Sequence, residues 1–464
     1  MTSSPAISRP LRRPIFVAAV LSFVASLAAG AQQPRYHLIT LDPGHFHASL
    51  VQKFMSPDID SVVHVYAPAG DDLAQHLARI NAFNTRADQP THWKEVVYSG
   101  PDYFQRMLAE RASTTGNIVV IAGNNAQKTD YIARAIDARF NVFGDKPMVV
   151  TPKDLVKLRQ AFTNAESKKV LLYDIMTERN EITNALQREL MMSTALFGTL
   201  QKGTANDPAI QMESVHFLSK VVAGMPLRRP QWFFDVRQEG EGLQDVGTHL
   251  VDLVQWAGFP GKTLRESEVD VSSSRRWATP ITPAQFKLVT GAESFPSYLQ
   301  PDVKNGVLQY YCNGEMSYRI RGVHAKVAAL WDFEAPPGSG DTHHAIFRGT
   351  KATLEIKQGA AEKYKPTLYI RRAPSVTEAA FVSAVNATIG SLQSKYPGVA
   401  VRREGEVFVV TSPAKYDVGH EAHFGQVMSN LLDYRRAGKL PAWEVPNMLV
   451  KYSTLMRAYA LSHK

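Results

Sequence analysis

The sequence predicts an α/β fold: a Rossmann-like, doubly wound parallel sheet first, then an α+β domain with a largely antiparallel open sheet. Three observations carry this expectation. Short β-type runs alternate with amphipathic stretches about every 25–35 residues from Tyr36 to about residue 176, the spacing of right-handed βαβ crossovers. Beyond Thr177 the period changes, and Met316, Tyr318 and Ile320 alternate with Ser317, Arg319 and Arg321 as on a half-exposed strand. The composition, 44% hydrophobic and 20% charged over 464 residues, suits roughly two to three domains with their own cores and excludes a disordered chain.

In chain order, residues 1–31 come first. They carry Arg9, Arg12 and Arg13, no acidic residue, an apolar run from Ile15 to Ala29 and a small-residue close at Ala29-Gly30-Ala31. That is the order of an export signal cleaved near Ala31, by the Sec route or, given Arg12-Arg13, the twin-arginine route. The apolar run is short for a spanning helix, which needs about 20 residues. The expected location is therefore periplasmic or secreted, with no stable membrane insertion after cleavage. The first domain, 36–176, should then run through a strand at Tyr36–Leu41 and a helix at about Ala48–Met55. Next come a strand at Ser61–Tyr66, a helix at Asp71–Phe83, a strand at Asn117–Ala122 and a helix at Ala126–Phe140. Strands at Asn141–Phe143 and Lys169–Tyr173 flank a helix at Pro152–Glu166. The second domain, 177–464, should hold strands near Ile210–Lys220 and Ala345–Ile356 and a helix at Leu243–Trp256. It should close on helices at about 421–436 and 443–462. A helix-plus-hairpin stretch fills about 374–413.

Charge and cysteine content narrow the function. Three of the nine excess positive charges belong to the export segment, so what remains is a modest solubility charge. No basic stripe is interleaved with aromatics, and no nucleic-acid partner is expected. Cys312 is the single cysteine, which excludes an internal disulfide framework and a multi-cysteine metal site. The histidines of His45-Phe46-His47, His343-His344 and His420-Glu421-Ala422-His423 permit a metal reading. His420 and His423 nevertheless fall one residue short of the spacing that lets an intervening glutamate act as base. No metal ligand is assigned, and His45 and His47 are expected to line a cleft at the strand ends.

The first strand leads into Asp42-Pro43-Gly44-His45-Phe46-His47. A nucleotide-binding turn needs glycines for close approach of a pyrophosphate; here Asp42 stands where the first would be and His47 near the third. An ordinary turn with Asp42 capping amides is the competing reading. Further on, Gly123-Asn124-Asn125 follows a strand, Asp145-Lys146-Pro147 follows the next, and Asp245-Val246-Gly247-Thr248-His249-Leu250-Val251-Asp252 opens a later helix. With Gly349-Thr350-Lys351-Ala352-Thr353-Leu354, these segments resemble the glucose–fructose oxidoreductase/inositol dehydrogenase (Gfo/Idh/MocA) family over roughly 36–360 and the final helices. The family has Glu-Lys-Pro where this chain has Asp145-Lys146-Pro147, and a glycine triplet where Glu239 and Glu241 flank Gly240. The segment 374–413 looks like an insertion relative to it.

The resemblance implies an NAD- or NADP-dependent oxidoreductase acting on a sugar or sugar derivative, in a homodimer or homotetramer, with a cofactor that some members of the family hold tightly. It makes Lys146, Asp245 and His249 the catalytic set, with His249 as acid/base for a sugar hydroxyl. Asp42, Gly44, His45, Phe46, Tyr66, Asn124, Asn125 and Lys146 would meet the cofactor. Tyr173, Arg179 and Asp252 would be next to substrate. Independently, Asp245, His249, Asp252 and Trp256 fall on one stripe of a helix, which can hold an imidazole in a chosen tautomer. A polar stripe facing water or a domain interface is the competing reading. Because no free dinucleotide pool is expected outside the inner membrane, two alternatives stand beside the dehydrogenase. One is a retained-NAD enzyme that cleaves glycosides through a 3-keto intermediate. The other is a carbohydrate-binding protein that has lost the cofactor.

Overall fold

The first sheet is built from strands that read as continuous apolar runs, because helices cover both of its faces. The computed structural model describes residues 1–2, 36–112, 116–222 and 225–464. Apart from its first two residues, the expected export signal lies outside the described residues. In the first half β1 (His37–Leu41), α1 (His47–Leu50), β2 (Val62–Tyr66), α2 (Asp71–Thr85), β3 (Lys94–Tyr98) and α3 (Tyr103–Arg111) come first. They are followed by β4 (Asn117–Ile121), α4 (Asn125–Asp137), β5 (Asn141–Gly144), α5 (Pro152–Lys168) and β6 (Leu172–Asp174). The strand order is β3-β2-β1-β4-β5-β6, with every pair parallel. β4 and β5 are buried along their whole length. The order reverses between β1 and β4, and the carboxyl ends of those strands bound the crevice where doubly wound sheets bind ligands.

Two elements, β3 and α3, escape the sequence reading. β3 is an edge strand, exposed or half-exposed throughout, and α3 buries only Phe104 and Met107, so neither shows a strong apolar period. The helix expected at 48–55 stops after Leu50. Pro57 has no N–H to extend the ladder to the Lys53 carbonyl, which Arg86 takes at 2.6 Å instead. The Gln52 carbonyl accepts from the Trp93 indole at 2.6 Å.

After α6 (Ile182–Met192), the second half contributes β7 (Ile210–Ser219), the short pair β8 (Val221–Val222) and β9 (Met225–Pro226), α7 (Gly242–Asp245) and α8 (Gly247–Gly258). Then come β10 (Val269–Ile281), α9 (Pro283–Thr290), β11 (Val303–Lys304), β12 (Val307–Ile320), β13 (Val323–Glu334), β14 (Thr342–Arg348), β15 (Ala352–Lys357) and β16 (Thr367–Arg372). α10 (Glu378–Leu392), β17 (Ala400–Glu404), β18 (Val407–Thr411), α11 (His420–Ala437) and α12 (Glu444–Ser462) complete the chain. The second sheet runs β10-β12-β13-β7-β14-β15-β16-β18-β17, with β11 beside β12. It is antiparallel except where β7 pairs with β13. The stretch read as an insertion therefore adds a helix and two edge strands to this sheet. Gly242 seats α7 against it: a Cβ there would lie 2.0 Å from the Cys312 carbonyl oxygen.

Residues 34–464 form one compact unit, and one apolar core runs from β1 to α12. A satellite core gathers Phe233, Phe234, Phe286, Tyr310 and Trp331 around the buried Cys312. Burial pushes the Cys312 thiol up to about 12, so it stays protonated and inert.

His76 on α2 is 1% exposed, and neither ring nitrogen has a hydrogen-bond partner among the described residues. Burial, with Arg79 nearby, pushes its pKa down to about 3. Its folded-state pKa is depressed, so folding stability drains as pH falls below the unfolded imidazole value. The slope is about 1.4 kcal/mol per pH unit. His76→Leu, which retains volume and has no proton to bind, is expected to raise the melting temperature. The gain should widen from pH 7 to pH 4.5 in parallel thermal scans; a pH-independent difference would contradict this assignment.

Candidate active site

The site forms where the carboxyl ends of β1, β4 and β5 meet α7 and α8. The turn after β4 presses backbone to backbone on the turn after β1: a Cβ on Gly123 would lie 1.8 Å from the Asp42 carbonyl oxygen. The His45 amide donates to the Ala122 carbonyl at 2.9 Å, locking the two turns together. Asp42 adopts a left-handed backbone at φ 49°, the conformation a glycine would otherwise supply. Its carboxylate accepts from the Tyr131 hydroxyl at 3.3 Å, under α4. Burial and the neighbouring Asp72 push its pKa up to about 6.

Beyond Gly44 lies a narrow cleft whose lining includes Gly44, His45, Phe46, Asp72, Arg79 and Arg228. Asp42 is not in that lining; its carboxylate is turned to Tyr131 instead. Asp72 was not assigned from the sequence, because it follows β2 by six residues instead of ending it. α2 nevertheless brings it beside Gly44, where it accepts from the Trp232 indole at 2.8 Å. That indole also covers Gly44, 2.8 Å from where a Cβ would sit.

Lys146 and Asp245 meet across the two halves as a buried ion pair. Burial disfavours both charges, but their attraction outweighs it: Lys146 is held above the usual ammonium value and Asp245 below the usual carboxylate value. His249, one turn along, is half-buried, and its Nδ1 has no hydrogen-bond partner among the described residues. Burial, then the charges of Lys146 and His420, hold its pKa well below the ordinary imidazole value, so the ring is neutral. Glu239 was also missed as a site residue, although its place in the broken glycine triplet marked it. Burial and repulsion from Asp245 keep it protonated, and it accepts from Asn125 Nδ2 at 3.0 Å. Asn124 Nδ2 donates to Gln238 Oε1 at 2.7 Å while its own Oδ1 caps α4. Both asparagines thus pin the two halves beside the Lys146–Asp245 pair.

A second polar group, of which His420 acts on His249 electrostatically, lies nearby. His420 on α11 stands 3.5 Å from Glu178, whose pKa burial and Glu181 push up to about 7. His216 Nδ1 lies 3.1 Å from Asp341 Oδ2, the same oxygen that holds Lys220. His420, Lys220, His216 and Asp341 interact electrostatically, and none was given a catalytic role by spacing alone.

Three expected substrate neighbours fall elsewhere. Arg179 clamps Asp252 with two hydrogen bonds of 2.6 and 2.7 Å and reaches Glu444 at 2.8 Å. Lys451, with no exposed side chain, bridges Asp252 at 2.8 Å and Asp174 at 2.6 Å. Tyr452 adds a bond to Asp174 at 3.1 Å. Tyr173 is buried, stacked on Phe143 and edge-on to Tyr434. These groups tie β6 and α8 to α12, and a guanidinium with two carboxylates already on it has little left to offer a substrate. Tyr66 likewise turns away from the cleft, bonding Glu110 at 2.8 Å and Arg111 at 3.1 Å. On the helical stripe Asp245 faces Lys146 and Asp252 faces Arg179, while Trp256 stacks under Arg188.

The family model described as "Putative oxidoreductase C terminal domain" matches residues 186–463. A crystal structure of a "putative oxidoreductase" from Parabacteroides merdae ATCC 43184 is 48% identical, covers 92% of this chain and 98% of its own, and superposes with a TM-score of 0.89. The chain belongs to this oxidoreductase family, of the Gfo/Idh/MocA type. Among more distant Gfo/Idh/MocA folds is GenD2 from gentamicin A biosynthesis, solved with NAD. It is 14% identical, with 93% of this chain and 95% of its own aligned and a TM-score of 0.55. KijD10 from Actinomadura kijaniata, a 3-ketoreductase solved with NADP and TDP-benzene, is 13% identical. Its alignment covers 92% of this chain and 96% of its own, with a TM-score of 0.53. No curated protein sequence matches this oxidoreductase.

Lys451→Met tests the buried network. Removing the ammonium leaves Asp174 and Asp252 without it in a dry interior, a loss of about 3–5 kcal/mol. The midpoint of urea unfolding should fall accordingly with its slope unchanged; a shift under about 1 kcal/mol would show the network to be dispensable.

Proposed function

We propose that this oxidoreductase interconverts a secondary hydroxyl and a ketone on a sugar or sugar derivative, using NAD or NADP, with His249 as acid/base. The observation that carries the reading is the buried Lys146–Asp245 pair beside a neutral His249 at the carboxyl ends of a doubly wound sheet. The residues around the cleft fit a dinucleotide. Asp72 suits a ribose diol, and Arg79 and Arg228 suit the diphosphate. The departure of the turn from a glycine-rich sequence is compatible with this, because Asp42 supplies the left-handed backbone and points its carboxylate at Tyr131.

A bound nicotinamide supplies the hydride acceptor or donor. The chain supplies the proton chemistry. The Lys146 ammonium, held charged by Asp245, hydrogen-bonds the reacting oxygen and lowers the pKa of the substrate hydroxyl. His249, partly open to the site and neutral, takes the hydroxyl proton on its imidazole and returns it in the reverse direction. Glu178, His420, Asp341 and Lys220 offer donors and acceptors to the remaining hydroxyls of a polyol ring. That polar wall is what favours a carbohydrate over an apolar alcohol. The basic, acid-free segment 1–31 supports export, and an exported enzyme must retain its dinucleotide through turnover.

Two measurements test the reading. Purified protein, denatured and assayed for released nucleotide and then titrated with NADH and NADPH, should show about one dinucleotide site per chain. Absence of both retained and added dinucleotide would overturn it. His249→Ala should lower kcat on a responsive sugar by about 100-fold or more while leaving dinucleotide affinity unchanged. The depressed His249 pKa adds a sign. Loss of the base on protonation should appear only well below pH 6.5, so kcat/KM should stay level as pH falls through 6.5. An acid limb centred on 6.5 would remove His249 from the role.

A further inference from the structure

We propose that His45, His47 and Asp145 form a binding site for a divalent transition-metal ion, with Nδ1 of each histidine and a carboxylate oxygen of Asp145 as ligands. The proposal stands on their convergence. His45 Nδ1 lies 3.0 Å and His47 Nδ1 2.9 Å from the same oxygen, Asp145 Oδ2, and the three ligand atoms lie within 4.8 Å of one another. Two ligands held at right angles about 2.1 Å from one ion stand about 3.0 Å apart, the separation Asp145 Oδ2 keeps from each Nδ1, as a facial set of two imidazoles and one carboxylate requires.

A second observation points the same way. Asp145 is 1% exposed, and its other oxygen, Oδ1, is buried with no hydrogen-bond partner among the described residues. Both imidazoles crowd one oxygen and leave the other idle, free to complete a bidentate ligand. The rings are held in place by aromatic walls: Phe46 lies edge-on to both, and Phe424 packs 4.5 Å from His47.

Binding an ion there would require both imidazoles to carry their protons on Nε2, leaving each Nδ1 lone pair to the metal. Two ammonium groups lie near, and each has its own partners: Lys128 donates to Asn125 Oδ1 and the Asp145 carbonyl, and Lys146 pairs with Asp245. Imidazole and carboxylate ligands suit Zn²⁺, Mn²⁺ or Fe²⁺ over a soft monovalent ion. With three protein ligands, positions remain open for oxygen ligands on the cleft side, which His45 lines. The site does not depend on the dinucleotide reading.

The test uses the full chain, stripped with a chelator, dialysed and reloaded separately with Zn²⁺, Mn²⁺ and Co²⁺. Stoichiometry is read by elemental analysis, geometry by Co²⁺ visible absorption, and stabilisation by thermal shift. The expected result is about one ion per chain, with a Co²⁺ band that changes in His45→Gln, the most accessible of the three ligands. Affinity in His47→Gln and Asp145→Asn should fall by at least the roughly 10–100-fold that even an outer-shell loss costs. His45→Gln keeps the test decisive if a more buried variant fails to fold. No bound ion in the unaltered chain would overturn the proposal. So would equal affinity in all folded variants, which would place the ion elsewhere, for example at His420 and His423.

Discussion

The arrangement depends on a set of charges removed from water together. Asp174 at the end of β6, Arg179 in the link that follows, Asp252 on α8, and Glu444 and Lys451 on α12 pair with one another in a single buried cluster. Each alone would cost several kcal/mol in the interior, and only the full set offsets that cost. The cluster draws from the last strand of the first sheet, a helix seated on the second sheet and the penultimate turns of the chain. The two halves are therefore held in one relative position, and α8 presents His249 at a fixed distance from Lys146.

That fixed placement sets the electrostatics of the site. Lys146 belongs to the first half and Asp245 to the second, so their pair exists only in the assembled molecule. Asn124 and Asn125 bond Gln238 and the Glu239 backbone from the first half, closing the same seam with neutral groups. Within the low-dielectric seam the charge of Lys146 disfavours a second cation, which keeps His249 neutral, and the charge of Asp245 disfavours a second anion, which keeps Glu239 protonated. Four ionisable groups thus settle into one ion pair, one neutral base and one neutral acid. A site meant to move a single proton at neutral pH needs such a separation of roles.

Much of this was legible in the sequence, for physical reasons. Fully buried strands such as Val119-Val120-Ile121 and well-periodic helices announce themselves, and the Asp-x-Gly-x-His stretch placed Asp245 and His249 one turn apart. β3 was not legible, because an edge strand with exposed side chains carries no apolar signal. Asp252 and Arg179 read as site residues because a stripe of charge on a helix does not say which neighbour will neutralise it; the answer, Lys451, lies about 200 residues further along. Asp72 and Arg79 reached the cleft through the orientation of α2, and Glu178, His216, Asp341 and His420 through the second sheet and α11. Such convergence is a property of topology, invisible to spacing.

Two departures from the family pattern, read separately in the sequence, are one feature in the fold. At the first turn, histidines occupy 45 and 47 where a glycine-rich loop was sought; a hundred residues later an aspartate occupies 145 in place of glutamate. Structure joins them: Asp145 Oδ2 is the point on which both imidazoles converge. A glutamate at 145, one methylene longer, would carry its carboxylate past the rings, and a glycine at 45 would take away one of the two imidazoles on the buried Asp145 carboxylate. Neither departure is tolerable without the other, which argues that the turn has been rebuilt around a polar centre rather than allowed to decay. Asp42 shows the same economy, since it keeps the left-handed backbone a glycine would give and buries its carboxylate against Tyr131, outside the lining of the cleft beyond Gly44.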